Sequence, residues 1–340
     1  MRNNTPFLLI LSLVLIAVFL LNLCVGAVKI PLKEIVGSVF GDDFSKKSWE
    51  IILWNYRLPK AFMAVLAGSG LAVSGLLMQT LFRNPLAGPD VLGLSSGASL
   101  GVAIVVMGNS LIPSIFAQFF LSGYGLILAS VCGSFLVLLA VLAVSQKLRD
   151  TMSVLVIGIM FASFASAFIG ILTYFSTAIE LQKFAFWSFG SLGNQSFQEI
   201  LILFSVIIIG LILAVFALKS LNALLLGENY AESLGVNLKK MRLLIIISTS
   251  ILAGSITGFA GPIAFIGLAV PHFARLIFKT SNHKILFWAT LLLGAIILLI
   301  CDTICQFPGK NFTLPINAVT SVFGAPVIIW LMIRNRKMMI

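Results

Sequence analysis

At 340 residues, 60% hydrophobic and only 10% charged, with a mean hydropathy of +1.12, this chain is excluded from the ordinary soluble domains. A net charge of +11 would suit nucleic acid, but the charges gather in short clusters between long apolar runs instead of covering one face. Lipid, not nucleic acid, is the expected surrounding.

About ten apolar runs read as membrane-crossing helices, near 7–27, 60–82, 92–107, 120–145, 153–175, 198–218, 243–260, 263–278, 285–305 and 315–333. The expected fold is therefore an all-α polytopic membrane protein, with one transmembrane domain over 1–340. The runs at 92–107 and 263–278 are short and broken by Gly and Pro, which is tolerated only where protein rather than lipid surrounds them. With a cytoplasmic N-terminus, fourteen basic residues fall on the cytoplasmic side and eight on the other, nearly balanced there by seven acids. That orientation obeys the positive-inside rule and places both termini in the cytoplasm.

The first run, Pro6 to Val28, exceeds the apolar core of a cleaved leader and reads as a retained helix. After it, Ile30, Ile35, Val36, Val39 and Phe40 fall at helical spacing with Lys33 and Glu34 opposite, which predicts a short amphipathic helix on the outer surface. Trp49, Trp54 and Tyr56 then stand where an aromatic belt anchors the second span. Arg57 and Lys60 open that span and would, at the least, snorkel at its end. Within it, Gly68, Gly70, Ser74 and Gly75 form a small-residue face suited to close helix packing, read here as packing against a second copy.

Two elbows echo each other: Ala87-Gly-Pro89 followed by Gly93-Leu94, and Ala260-Gly-Pro262 followed by Gly267-Leu268. Five spans lie between them, so they face opposite sides, which is compatible with an inverted pseudo-repeat. Ser176 to Phe197 is too polar to span and reads as a re-entrant or surface helix, or as an ordinary interfacial loop. The largest cytoplasmic insertion is about 219–242. In it Gly227 opens and Gly235 closes a short helix, Leu224, Leu225, Ala231 and Leu234 form an apolar ridge, and Glu228 and Glu232 stand alongside. A solvated connector would look similar. His272 has no companion acids or thiols and is read as structural, at a helix end. The four cysteines, among them Cys301 and Cys305 one turn apart, lack a completing His and are read as apolar packing, with no metal.

The stretch Arg57-Leu-Pro-Lys60 to Leu100, the segment Gly227-Glu-x-x-Ala-x-x-Leu-Gly235, Gly258-Phe-Ala-Gly-Pro262 to Arg275, and Phe323-Gly-Ala-Pro-Val327 together resemble the permease subunits of bacterial type II ABC importers. That family takes up iron-siderophores, haem and cobalamin, and the likeness covers nearly the whole chain. The resemblance implies the type II importer fold and a coupling helix for an ATPase at Gly227, Glu228, Ala231, Glu232, Leu234 and Gly235. It implies docking of a periplasmic binding protein at Arg57 and Lys60, where Lys60 replaces a second Arg and gives up bidentate geometry. A third docking position, basic in some members, falls near Gln306, with Lys310 as a substitute. Asn84 and Leu86, with Thr151 and Met152, correspond to the inner constriction of the path; a structural elbow would use the same residues. The Trp187 to Leu192 pattern recurs in those permeases.

No G-x-x-x-x-G-K-[ST] loop occurs, so ATP-Mg is expected on a partner ATPase and no cofactor or catalytic residue on this chain. Acids and histidines do not sit deep in several spans, as ion-coupled carriers require, and no carboxylate pair or His cluster suits a membrane enzyme. The expected assembly is two permease copies, each with its single coupling motif, two ATPase subunits and a binding protein, in the bacterial inner membrane; a pair of related permease chains is the alternative to a homodimer. Ferric siderophore is the first expectation for cargo, with haem and cobalamin as alternatives. A secondary transporter with an inverted repeat is the competing reading.

Overall fold

Every apolar run read from the sequence is a helix in the computed structural model, which describes residues 5–108, 119, 122–145, 151–193, 195–306 and 313–335. In chain order the helices are α1 (Thr5–Cys24), α2 (Leu32–Val39), α3 (Lys47–Ile52), α4 (Leu58–Leu81), α5 (Leu94–Met107), α6 (Gly123–Ser145) and α7 (Thr151–Phe175). They continue with α8 (Ala178–Ser188), α9 (Phe197–Leu224), α10 (Glu228–Ser233), α11 (Leu238–Ala260), α12 (Ile266–Phe278), α13 (His283–Cys305) and α14 (Ile316–Asn335). Among the described residues, seven helical stretches are long and apolar enough to cross a membrane, and α5, α12 and α14 are shorter apolar helices that complete the expected ten.

The small residues of α4 decide the architecture. Nearly the whole helix from Ala61 to Leu81 is buried, because Ala, Gly and Ser let α9, α11, α12 and α13 close around it. A Cβ on Gly68 would strike the carbonyl of Gly294 on α13, one on Gly70 would meet Ile256 on α11, and one on Gly75 would strike the carbonyl of Gly267 on α12. The expectation that this face packs against a second copy is therefore corrected: it is filled from within the chain. Serine hydroxyls stitch such seams, Ser69 of α4 donating to Leu291 O on α13 at 3.1 Å and Ser248 of α11 to Gly210 O on α9 at 2.8 Å. Bonds of this kind contribute about 0.6 kcal/mol each in a bilayer, so packing does most of the holding.

The inverted repeat is visible in the packing. If α4, α5, α6 and α7 are matched to α11, α12, α13 and α14, the contacts exchange pairwise. Thus α4 packs on α12 and α13 as α11 packs on α5 and α6, while α5 meets α6 and α7 as α12 meets α13 and α14. The helices α1 and α9 stand outside this symmetry. The short helices α5 and α12 each follow a Gly-Pro elbow that ends in a left-handed residue, Gly93 (φ 76°) before α5 and Phe265 (φ 68°) before α12. Gly267, matched to Gly93 in the sequence, lies inside α12 and serves the close approach to Gly75.

Hydrogen bonds fix which ends share a face. Arg83, just past α4, donates to Leu224 O at the end of α9, and Thr80 near the end of α4 meets His283 at the start of α13. The first elbow, α10 and the start of α13 therefore lie on one face. Arg57, Lys60 and the end of α13 lie on the other. The start of α14 joins that second face, where Asn317 N–H donates to Phe189 O.

Candidate functional site

The segment between α9 and α11 folds as its glycines direct. Gly227 has φ 114° and Gly235 φ 84°, conformations that L side chains rarely adopt, and they bracket the single-turn helix α10. Ala231 N–H donates to Gly227 O at 2.9 Å, and Val236 N–H to Ala231 O at 3.0 Å, so the turn is closed at both ends. Ala231 is wholly buried, as is Leu224, whereas Leu225, Leu226, Tyr230 and Leu234 are all more than half exposed. The expected ridge of Leu224, Leu225, Ala231 and Leu234 is corrected accordingly. Ala231 faces α9 and α11, because only a methyl fits there, and the outward apolar face is made by the other four residues. Glu232 and Gly235 are exposed and Glu228 is half-buried.

The first elbow lies on the same face. Asn84 Oδ1 accepts from Leu86 N–H at 2.9 Å, an Asx turn that presents Leu86 to the surface. His272, expected at a helix end, sits inside α12 and clamps this loop, its Nε2 donating to Pro85 O at 2.8 Å. Gln79 donates to Leu268 O at 3.0 Å beside it. Thr151 opens α7 and Met152 is exposed on it, and α7 meets the elbow two turns further on, where Gly158 abuts Val91 and Leu92. The elbow that begins at Asn84 and Leu86 thus packs at its far end on α7, at Gly158.

On the opposite face, Arg57 is buried. Its guanidinium donates to Leu23 O at 2.6 Å and to Val28 O, so it staples the turn after α1. Lys60 is about one-fifth exposed (21%) and its Nζ pairs with Asp302 Oδ1 at 2.8 Å. The other carboxylate oxygen of Asp302 accepts from Asn22 Nδ2 and from Gln306 Nε2, both at 2.9 Å. Desolvating a carboxylate at a membrane helix end costs several kcal/mol unless it is paired, and here an ammonium and two amides pair it. This cluster was not read from the sequence; an acid inside the apolar run 285–305, with an Asn inside the first run, was its signal. Beside it opens a cavity of about 670 Å³ reached by Tyr56, Lys60, Phe189, Asp302 and Leu314. Lys310 lies outside the described residues.

Removing one member of such a pair should show it. Lys60→Met is expected to lower stability by about 2–3 kcal/mol, below the usual range for a buried pair because Lys60 is partly solvated, and the added Asp302→Leu should recover much of that loss. Thermal unfolding in detergent reads both. A Lys60→Met protein as stable as the parent would leave the pair without a structural role.

The polar stretch after α7 is a helix, α8, begun by a capping box in which Thr177 and Glu180 exchange hydrogen bonds. Its end covers the second elbow. Ser191 N–H donates to Ala260 O at 2.8 Å, and a Cβ on Gly261 would meet Trp187 O at 2.6 Å. The Trp187 to Leu192 stretch is therefore what satisfies the backbone that the elbow breaks. Between α2 and the bundle, Ile30 and Ile35 are buried as the amphipathic reading requires, but Phe40 is exposed.

Residues 14–334 match the FecCD transport family. The vitamin B12 import system permease protein BtuC of Salmonella typhi is 35% identical over 337 residues, which covers 99% of this chain and 97% of that protein. BtuC of Citrobacter koseri is 34% identical over 337 residues, with 99% and 96% covered. A solved structure described as an inward-facing conformation of a metal-chelate type ABC transporter has a TM-score of 0.84 and 26% identity, and covers 97% of this chain and 99% of that one.

Proposed function

This chain belongs to the FecCD transport family, as a permease of the type II ABC importers, and on that premise we propose that two copies form the path for a metal chelate entering a bacterial cell. Two ATPase subunits supply the energy from the face that carries α10, and a loaded binding protein delivers cargo to the face that carries Lys60. The observation that carries this reading is the outward apolar face of α10, held on a closed turn between α9 and α11. The basic residues concentrate on that face, which supports reading it as the cytoplasmic one.

Each chain has one such segment, and a two-site ATPase needs two, so a second copy supplies the other. Because α4 is enclosed, the surface left for that copy lies on outer helices. The repeat-related α7 and α14 qualify, with Met152, Phe164, Val322 and Phe323 exposed. Outside, the surface around Lys60 and the cavity beside Asp302 is the landing for the binding protein, and Arg57 shapes the turn under it.

Cobalamin becomes the cargo to test first, because the relatives at 34–35% identity are named for vitamin B12 import. Ferric siderophore is the second reading. Proteoliposomes holding this chain with its ATPase are expected to accumulate the chelate bound by the cognate binding protein, with ATP and in the presence of ionophores. Uptake that follows an ion gradient and ignores ATP would defeat the proposal, and the bound chelate identifies the cargo.

A further inference from the structure

We infer that the groove between α9 and α13, on the face of α10, is a binding site for the headgroup of an anionic phospholipid. A cavity of about 430 Å³ opens there, and one lysine from each helix reaches it, Lys219 and Lys284. Its apolar wall is made by Val215, Phe216, Phe287 and Trp288. Phe287 is buried and forms the floor, while Phe216 and Trp288 are more than half exposed toward the acyl region. Phosphate oxygens between two ammonium groups, with chains lying on the aromatics, is the arrangement this chemistry accepts.

Two features separate the groove from an ordinary belt of Trp and Lys. The first is rigidity. Asn222 Oδ1 on α9 accepts from both the backbone N–H and the Nδ1 of His283, each at 2.9 Å, and His283 Nε2 meets Thr80 Oγ1 on α4 at 2.9 Å. The backbone that carries Lys284 is therefore fixed relative to the helix that carries Lys219. The second is charge. No acid lines the cavity, and neither lysine has an ion-pair partner among the described residues. Lys284 also sits in the first turn of α13, where there is no acidic residue and the helix dipole adds to its charge. A mobile counterion would neutralise such a site in water; at the membrane surface the lipid phosphate is the anion in supply.

The test uses the full chain, purified with its ATPase and placed in nanodiscs of phosphatidylcholine with a minor fraction of phosphatidylglycerol. Mass spectrometry of the released complex reads the lipid retained. Two lysines near the surface are worth roughly tenfold or more in preference for the anionic lipid. That preference is expected for the parent, to persist in Lys219→Arg/Lys284→Arg, and to vanish in Lys219→Gln/Lys284→Gln. Equal retention of the two lipids by the parent overturns the inference whether or not the variants fold. So does displacement of the lipid by excess inorganic phosphate, which would make this a free-anion site. A Gln variant that keeps phosphatidylglycerol but sheds its ATPase would assign the lysines to the subunit contact instead.

Discussion

Gly75→Ala is expected to prevent this chain from reaching a stable fold. The added Cβ would fall far inside van der Waals contact distance of the Gly267 carbonyl oxygen, with the carbon and Cα of Gly267 behind it. Both sides of that contact are backbone in helices, α4 and α12, so no rotamer change relieves it. The two helices must separate, and α4 is also clasped by α9, α11 and α13. A loss of about 3 kcal/mol or more follows from overpacking that has no side chain to yield. The control is Gly170→Ala on α7, where a Cβ meets nothing and the change should stabilise by roughly 0.5–1 kcal/mol. Yield of monodisperse protein and the thermal midpoint read both. A Gly75→Ala protein that melts with the parent would show that α12 is not seated on α4 as described.

The contrast between these two glycines marks what the sequence reveals and what it hides. Apolar length and Gly-Pro breaks are local, so all ten spans, both elbows and the glycine-bracketed turn at Gly227 to Gly235 could be read directly. The identity of a neighbour is not local. The small face of Gly68 and Gly75 announces close packing, but nothing in those residues distinguishes Gly294 and Gly267 of the same chain from a second copy. The same limit explains Arg57 and Lys60. Charges at the start of a span suit docking or snorkelling equally, and the carbonyl of Leu23 and the carboxylate of Asp302 that claim them are remote in sequence. For Ala231 the residue type was informative and its direction was not, because a six-residue helix is too short for periodicity to set a face.

That direction governs the second large effect. Leu226→Arg with Leu234→Arg is expected to leave the chain folded while detaching it from its ATPase. Both leucines are exposed, at 64% and 58%, and flank the turn whose inner side is anchored by Ala231. Replacing them changes the surface offered to a partner without touching α9 or α11. Apolar anchors at the centre of an interface are each worth about 2 kcal/mol, so ATPase co-purification and ATP-driven uptake should both fall at least tenfold. The thermal midpoint of the permease should stay near that of the parent. Ala231→Arg, by contrast, forces a long charged side chain into a site with no space, and should lower the midpoint as well as activity, so it cannot separate coupling from folding. The two signatures discriminate the role of the segment. If the double leucine variant still binds its ATPase and transports at the parental rate, the outward face of α10 is only a solvated connector and the coupling assignment is lost.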